Sequence, residues 1–189
     1  NAGTTTWQAV DLIDSEDLDD VKSWTSSFSP YNVIHVVDAG NGDFFSVWVQ
    51  GNAVINRVWG NRFNAQTNAW DGAVAISAAG LESSAHHVAA DGLGNAMAVF
   101  VTNGATPYNS VASYWNKDVG SWGAPVDLYV SATSQGLPAV AMNSVGDAVV
   151  AWYQADNTSY VNHFDRETLS WGAAHLGEEA RHQNAARVQ

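Results

Sequence analysis

Short apolar runs alternate with polar turns built on glycine along most of this chain. Val33-Ile34-His35-Val36-Val37 precedes Gly42, His87-Val88-Ala89-Ala90 precedes Gly94, and Pro138-Ala139-Val140-Ala141-Met142 precedes Gly146. Asp43, Asn95 or Asp147 follows each Gly, and a second run then ends on an aromatic, Trp48, Phe100 or Trp152. Runs rich in Val and aromatics, split by Gly with Asn or Asp, predict the two arms of a β-hairpin. Glycine supplies the positive φ that such a turn needs. A second pair of arms follows: one ends at Phe63, Trp115 or Phe164, polar residues turn the chain, and the other opens at Trp70, Trp122 or Trp171.

Those three tryptophans recur at steps of 52 and 49 residues, each seven residues after its aromatic partner. A fixed period of this size marks a repeat in which each unit buries its apolar face only against its neighbours. Four short strands per unit predict an all-β fold of β-propeller blades, each a four-stranded antiparallel meander, over residues 31–76, 85–128 and 137–177. Partial copies are expected at the two ends. Trp7 to Leu12 matches Trp122 to Leu128 as a last strand, and residues 185–189 fall where a first strand is due. The whole of 1–189 therefore reads as one repeat domain. Three blades do not close a ring comfortably, so the chain is expected to be a piece of a longer propeller or to be completed by another chain.

Charge narrows the partners. The formal net charge is −12, with seven Lys and Arg against nineteen Asp and Glu. Nucleic acid needs a basic stripe that displaces counterions, and anionic membranes need the same, so neither is expected as a partner. No apolar run is long enough to span a bilayer. Cysteine is absent, which removes disulfides, thiolate metal sites and a Cys nucleophile. Much Asn, Gly, Ser, Thr and Trp with little Lys points to an exported bacterial protein, secreted or on the cell surface.

Chemistry is sparser. Trp48, Trp70, Trp122, Trp152 and Trp171 recur in register and are expected to fill the space between blades. Positions that differ between units are freer for ligand binding. Trp59 aligns with Val111 and Tyr160, and Arg62 with Tyr114 and His163. Trp59, Arg62, Tyr114, Tyr160 and His163 are thus the candidate ligand-binding residues, because exposed rings stack on sugar faces at low entropy cost. The pairs Asp38 with Asp43, Asp91 with Asn95 and Asn143 with Asp147 sit in the Gly turns. Calcium takes such oxygen ligands, but a turn uses the same side chains for its own backbone, and no cofactor is expected. Asp11, Asp14, Glu16, Asp17, Asp19 and Asp20 crowd an insertion read as a solvated acidic loop. His86 and His87 are adjacent, so strand alternation sends them to opposite faces and denies them a shared metal. Nucleophile elbows, phosphate loops and zinc-helix signatures are missing, and no catalytic residue is assigned.

In the hairpin Gly, the aromatic six residues on and the Trp opening the last strand, the units resemble β-propeller repeats of exported bacterial proteins, the sialidase-like and lectin-like propellers. The resemblance spans roughly residues 31–177 and implies an architecture more than an activity. The sialidase Asp-box, Ser-x-Asp-x-Gly-x-x-Trp, is not reproduced here, since Asp38 to Trp48 and Asp91 to Phe100 are spaced further apart. The five arginines Arg57, Arg62, Arg166, Arg181 and Arg187 do not map onto that family's carboxylate clamp, nor is its Tyr nucleophile with paired Glu matched. The expected function is a non-catalytic extracellular module that binds glycans or another extracellular surface, including a protein. The alternatives are a structural or assembly platform acting through its terminal blade edges, with a homo-oligomer completing the propeller, and a portion of a larger propeller enzyme such as a glycosidase.

Overall fold

A computed structural model describes residues 34–51, 55–103 and 107–177. The partial copies at 7–12 and 185–189 and the acidic insertion lie outside those residues. Three antiparallel sheets follow one another along the chain. The first holds β1 (His35–Asp38), β2 (Phe44–Gly51), β3 (Asn56–Asn64), β4 (Ala69–Trp70) and β5 (Val74–Ala75). β6 (Glu82–Ala90), β7 (Ala96–Asn103), β8 (Asn109–Asn116), β9 (Ser121–Trp122) and β10 (Val126–Asp127) make the second. The third comprises β11 (Gln135–Met142), β12 (Ala148–Gln154), β13 (Ser159–Asp165), β14 (Ser170–Trp171) and β15 (His175–Leu176). In each, the first three strands form a meander and both short pieces pair with the third. No helix occurs among the described residues. These are propeller-type blades, as the repeat predicts.

The fourth arm departs from the expected single strand. Phe63 faces Trp70, yet Gly60 faces Val74, so one extra residue lies between the two pairs. Trp115 with Trp122 and Ala112 with Val126 repeat that offset, as do Phe164 with Trp171 and Val161 with His175. A bulge of this kind bends the strand and frees backbone groups. Buried polar side chains at the same position meet them: Asn61 Oδ1 accepts the Gly72 N–H at 3.1 Å, and Ser113 Oγ donates to the Gly123 carbonyl at 2.7 Å.

The residue after each turn Gly has a defined task. Asp43 Oδ1 accepts the Ala65 N–H at 2.9 Å, Asn95 Oδ1 the Lys117 N–H at 3.0 Å, and Asp147 Oδ1 the Arg166 N–H at 3.1 Å. Each clips the first hairpin of its blade to the second. Across the turn the backbone partner of Asp43 is Ala39, at 2.9 Å, and not Asp38, whose carboxylate accepts the Gly40 N–H at 2.7 Å. The equivalent pairs Asp91 with Asn95 and Asn143 with Asp147 are as expected. Gly40 has φ +80°, and a Cβ there would stand 2.3 Å from the Gly92 carbonyl oxygen, so bare backbones meet where two turns touch.

Two apolar cores lie between the three blades. Phe45, Val47, Val49 and Val58 of the first blade pack with Ala96, Ala98, Phe100, Val111 and Trp115 of the second. The other face of the second blade, Met97, Val99 and Ala112, packs with Ala148, Val150, Trp152 and Phe164 of the third. Because successive side chains alternate across a strand, Trp48, Trp59 and Phe63 face away from the second blade. Trp48 is nonetheless 1% exposed and its Nε1–H donates to Gln50 Oε1 at 2.9 Å.

Candidate ligand-binding groove

Where the first two blades meet, β3 and its split partner leave a groove of about 650 Å³ against β8 and β9. The first blade contributes Arg62 and Asp71; the second contributes Trp115 and Trp122. Gly60 makes this approach feasible, since a Cβ on it would lie 3.1 Å from Trp122 Nε1 and 3.2 Å from Cε2. The corresponding residues of the other blades are Ala112 and Val161. Trp122 packs on Phe45 and Trp115, with ring centroids 5.7 and 5.8 Å away. The indole N–H groups of Trp115 and Trp122 are buried with no acceptor in the chain.

Arg62 sits between two carboxylates. Its Nε and Nη2 donate to Asp43 Oδ2 at 3.0 and 2.7 Å, while Nη1 donates to Asp71 Oδ2 at 3.2 Å. The guanidinium lies 5.7 Å from the Trp115 ring centre, in cation–π range. Burial pushes the Asp43 carboxyl up, but the Ala65 N–H, the Arg62 guanidinium and the Asn41 amide outweigh it and hold Asp43 below the usual carboxylate range. Asp71, in contrast, is substantially exposed at the groove. A positive fork, a solvent-facing carboxylate and an indole therefore converge from two blades.

The equivalent groove between the second and third blades is different in kind. It encloses about 280 Å³ and is lined by apolar residues, including Met97, Phe164, Leu169 and Trp171, with Tyr114 in place of Arg62. Burial pushes the Tyr114 hydroxyl up to about 12. Tyr114 stacks near Phe164, with centroids 5.1 Å apart, and the Arg166 guanidinium lies 5.9 Å from its ring.

The five candidate residues are not gathered in one place. Arg62 lines the first groove and Tyr114 the second. Trp59, on the same strand as Arg62, faces the opposite side of the sheet, with Arg57 6.0 Å from its ring centre. Tyr160 packs in the core between the second and third blades, 4.9 Å from Tyr129 and 5.9 Å from Trp152. His163 is exposed on the outward face of the third blade. Asp71 and Trp122 complete the first groove and escaped the sequence reading. A signal for Asp71 was present, because its counterparts are Gly123 and Gly172.

The histidines correct an expectation. His35 lies 5.0 Å from His86 and 5.1 Å from His87, so the adjacent pair does not diverge. The reason is a register shift between Ser84 and His87, where Ala85 takes φ 47° and breaks the alternation. β11 shifts at the same point, between Gly136 and Ala139, with Leu137 at φ 51°. The three imidazoles line an open pocket of about 380 Å³ with Leu137, Pro138 and Ala139. Burial lowers the His35 and His87 pKa values, and the nearby His87 lowers that of His35 further. Among the described residues, no group of three or more His, Asp or Glu side chains is placed to hold a metal ion.

No protein-family model and no curated protein matches the chain. Solved structures do. A Hadza microbial sialidase superposes with a TM-score of 0.55 at 11% identity, covering 77% of this chain. The chain spans 37% of that sialidase's length. A fucose lectin from Kordia zhangzhouensis, solved with methyl-fucoside, aligns at 14% identity with a TM-score of 0.46, covering 75% of this chain and 95% of its own. At such identities the likeness is one of fold. No helix among the described residues is long and apolar enough to cross a membrane.

Proposed function

We propose that this chain is a non-catalytic, extracellular glycan-binding module, and that the groove between its first two blades binds a neutral sugar. The observation that carries this reading is the Arg62–Asp71 pair of one blade facing the Trp122 indole of the next. Neighbouring hydroxyls of a sugar ring donate to a carboxylate and accept from a guanidinium, while the ring's C–H face packs on an indole. A few polar groups in an otherwise apolar cleft of this size are what small-ligand sites use to fix orientation. The sugar is neutral because both Asp43 and Asp71 already meet the charge of Arg62, which leaves no uncompensated cation for a ligand carboxylate. Similar folds occur in a fucose lectin and in a sialidase, which fits a carbohydrate ligand without fixing which one.

A glycan array followed by tryptophan fluorescence titration tests the reading. Neutral glycans are expected to bind, and Asp71→Ala to weaken them at least about tenfold, as loss of a charged hydrogen-bond partner costs roughly 1.5–3 kcal/mol. The melting temperature should change little, since Asp71 is exposed. An array without hits, or Asp71→Ala binding as tightly as the parent, sinks the assignment.

A further inference from the structure

The two faces of the third blade differ sharply. Along β2 and β7 nearly every residue is buried, on both faces of the sheet. Along β12 burial alternates strictly: Ala148, Val150, Trp152 and Gln154 are buried, whereas Val149, Ala151 and Tyr153 are exposed. In the first two blades the corresponding face is the one covered by the next blade. In the third it carries Ala139, Ala141, Val149, Ala151, Tyr153 and Val161, with no Asp, Glu, Lys or Arg among them. Val149 is 49% and Tyr153 40% exposed. A sheet face meant for water normally alternates with polar side chains. This one has the composition of an interior.

We propose that the outward face of the third blade is an interface with a second copy of this chain, the two faces packing against each other across a twofold axis. The choice of occupant follows from what is already covered. A head-to-tail contact would need the far face of the first blade, and there Ser46 and Trp48 are each 1% exposed. The unclosed apolar face is then the one on the third blade, and an identical face is its complement. Twofold pairing places the same patch on both partners, and two apolar sheet faces pack as layers about 10 Å apart. The molecule's large negative charge does not oppose this contact, because the patch itself is uncharged.

Sedimentation velocity with oxidative footprinting decides the matter. A dimer is expected, in which Tyr153 is several-fold less reactive than exposed Tyr108. Ala151→Lys, or Tyr153→Arg if the first folds poorly, should return a monomer whose circular dichroism and melting temperature match the parent, since neither side chain supports another blade. A wild-type monomer with a reactive Tyr153 overturns the proposal and leaves the face to a further blade of a longer chain. A dimer that survives Ala151→Lys overturns it in favour of contact through strand edges. Neither result bears on glycan binding in the distant groove.

Discussion

Leu169 has φ 52°, a left-handed conformation that a branched side chain adopts at a cost. The same point of the β3–β4 and β8–β9 turns is held by Asn68 at φ 53° and Gly120 at φ 72°, both suited to it. The third blade keeps Leu there, and its side chain lines the groove between the second and third blades. Leu169→Gly is expected to relieve the strain and raise stability by up to about 1 kcal/mol, less whatever packing the side chain supplies. Urea denaturation checks it, and a loss of more than that amount means that the groove contact outweighs the strain. The need for a left-handed residue was legible in Asn68 and Gly120. That Leu would tolerate it was not, because propensity argues against Leu and tertiary packing overrides propensity.

At the scale of elements, the bulges in β6 and β11 matter most. Alternation along His86-His87 predicts divergence; one inserted residue in β6 brings both rings to His35. No turn glycine marks this bulge, since Ala85 and Leu137 occupy its left-handed positions, so periodicity alone gave no warning. The cluster also ties strands of different blades together, as the Val140 N–H donates to His87 Nδ1 at 3.2 Å. Its consequence is a pH dependence. The folded pKa values of His35 and His87 lie below the unfolded value near 6.5, so the unfolded chain binds more protons as pH falls. Stability from these groups is full above that value and is lost progressively below it. Urea melts at successive pH values should show the fall beginning below about pH 6.5, and His35→Asn with His87→Asn should flatten it. A parent curve that is flat to pH 5 excludes the effect.

In the whole molecule, the second blade is shared by two separate cores, and the first and third have no core in common. Repeat proteins of this kind owe their stability to each unit and to its contacts with neighbours. Val150→Ala, at a fully buried site between the second and third blades, should cost about 2 kcal/mol. Amide exchange is expected to quicken in β11 to β13 while β2 and β3 keep their protection. Equal acceleration in all three sheets would mean one global unit. The blades and their neighbours were foreseeable from the period, and so was the role of the recurrent aromatics: Trp122 and Trp152 do fill the seams. The grooves were not foreseeable, because each is made of residues some fifty positions apart whose approach depends on how one sheet is set against the next.

The sequence by itself determined the four-strand unit, its repetition, and the Gly followed by Asp or Asn in each first hairpin. These are local properties, since a strand alternates with period two and a tight turn demands particular backbone angles whatever surrounds it. Only the tertiary structure decided that the fourth strand breaks in two, that three histidines meet, that Arg62 lies between Asp43 and Asp71 beneath the next blade's indole, and that one apolar face stays open. A single inserted residue reverses the face that every following side chain presents, and contacts between sheets depend on the sum of such offsets.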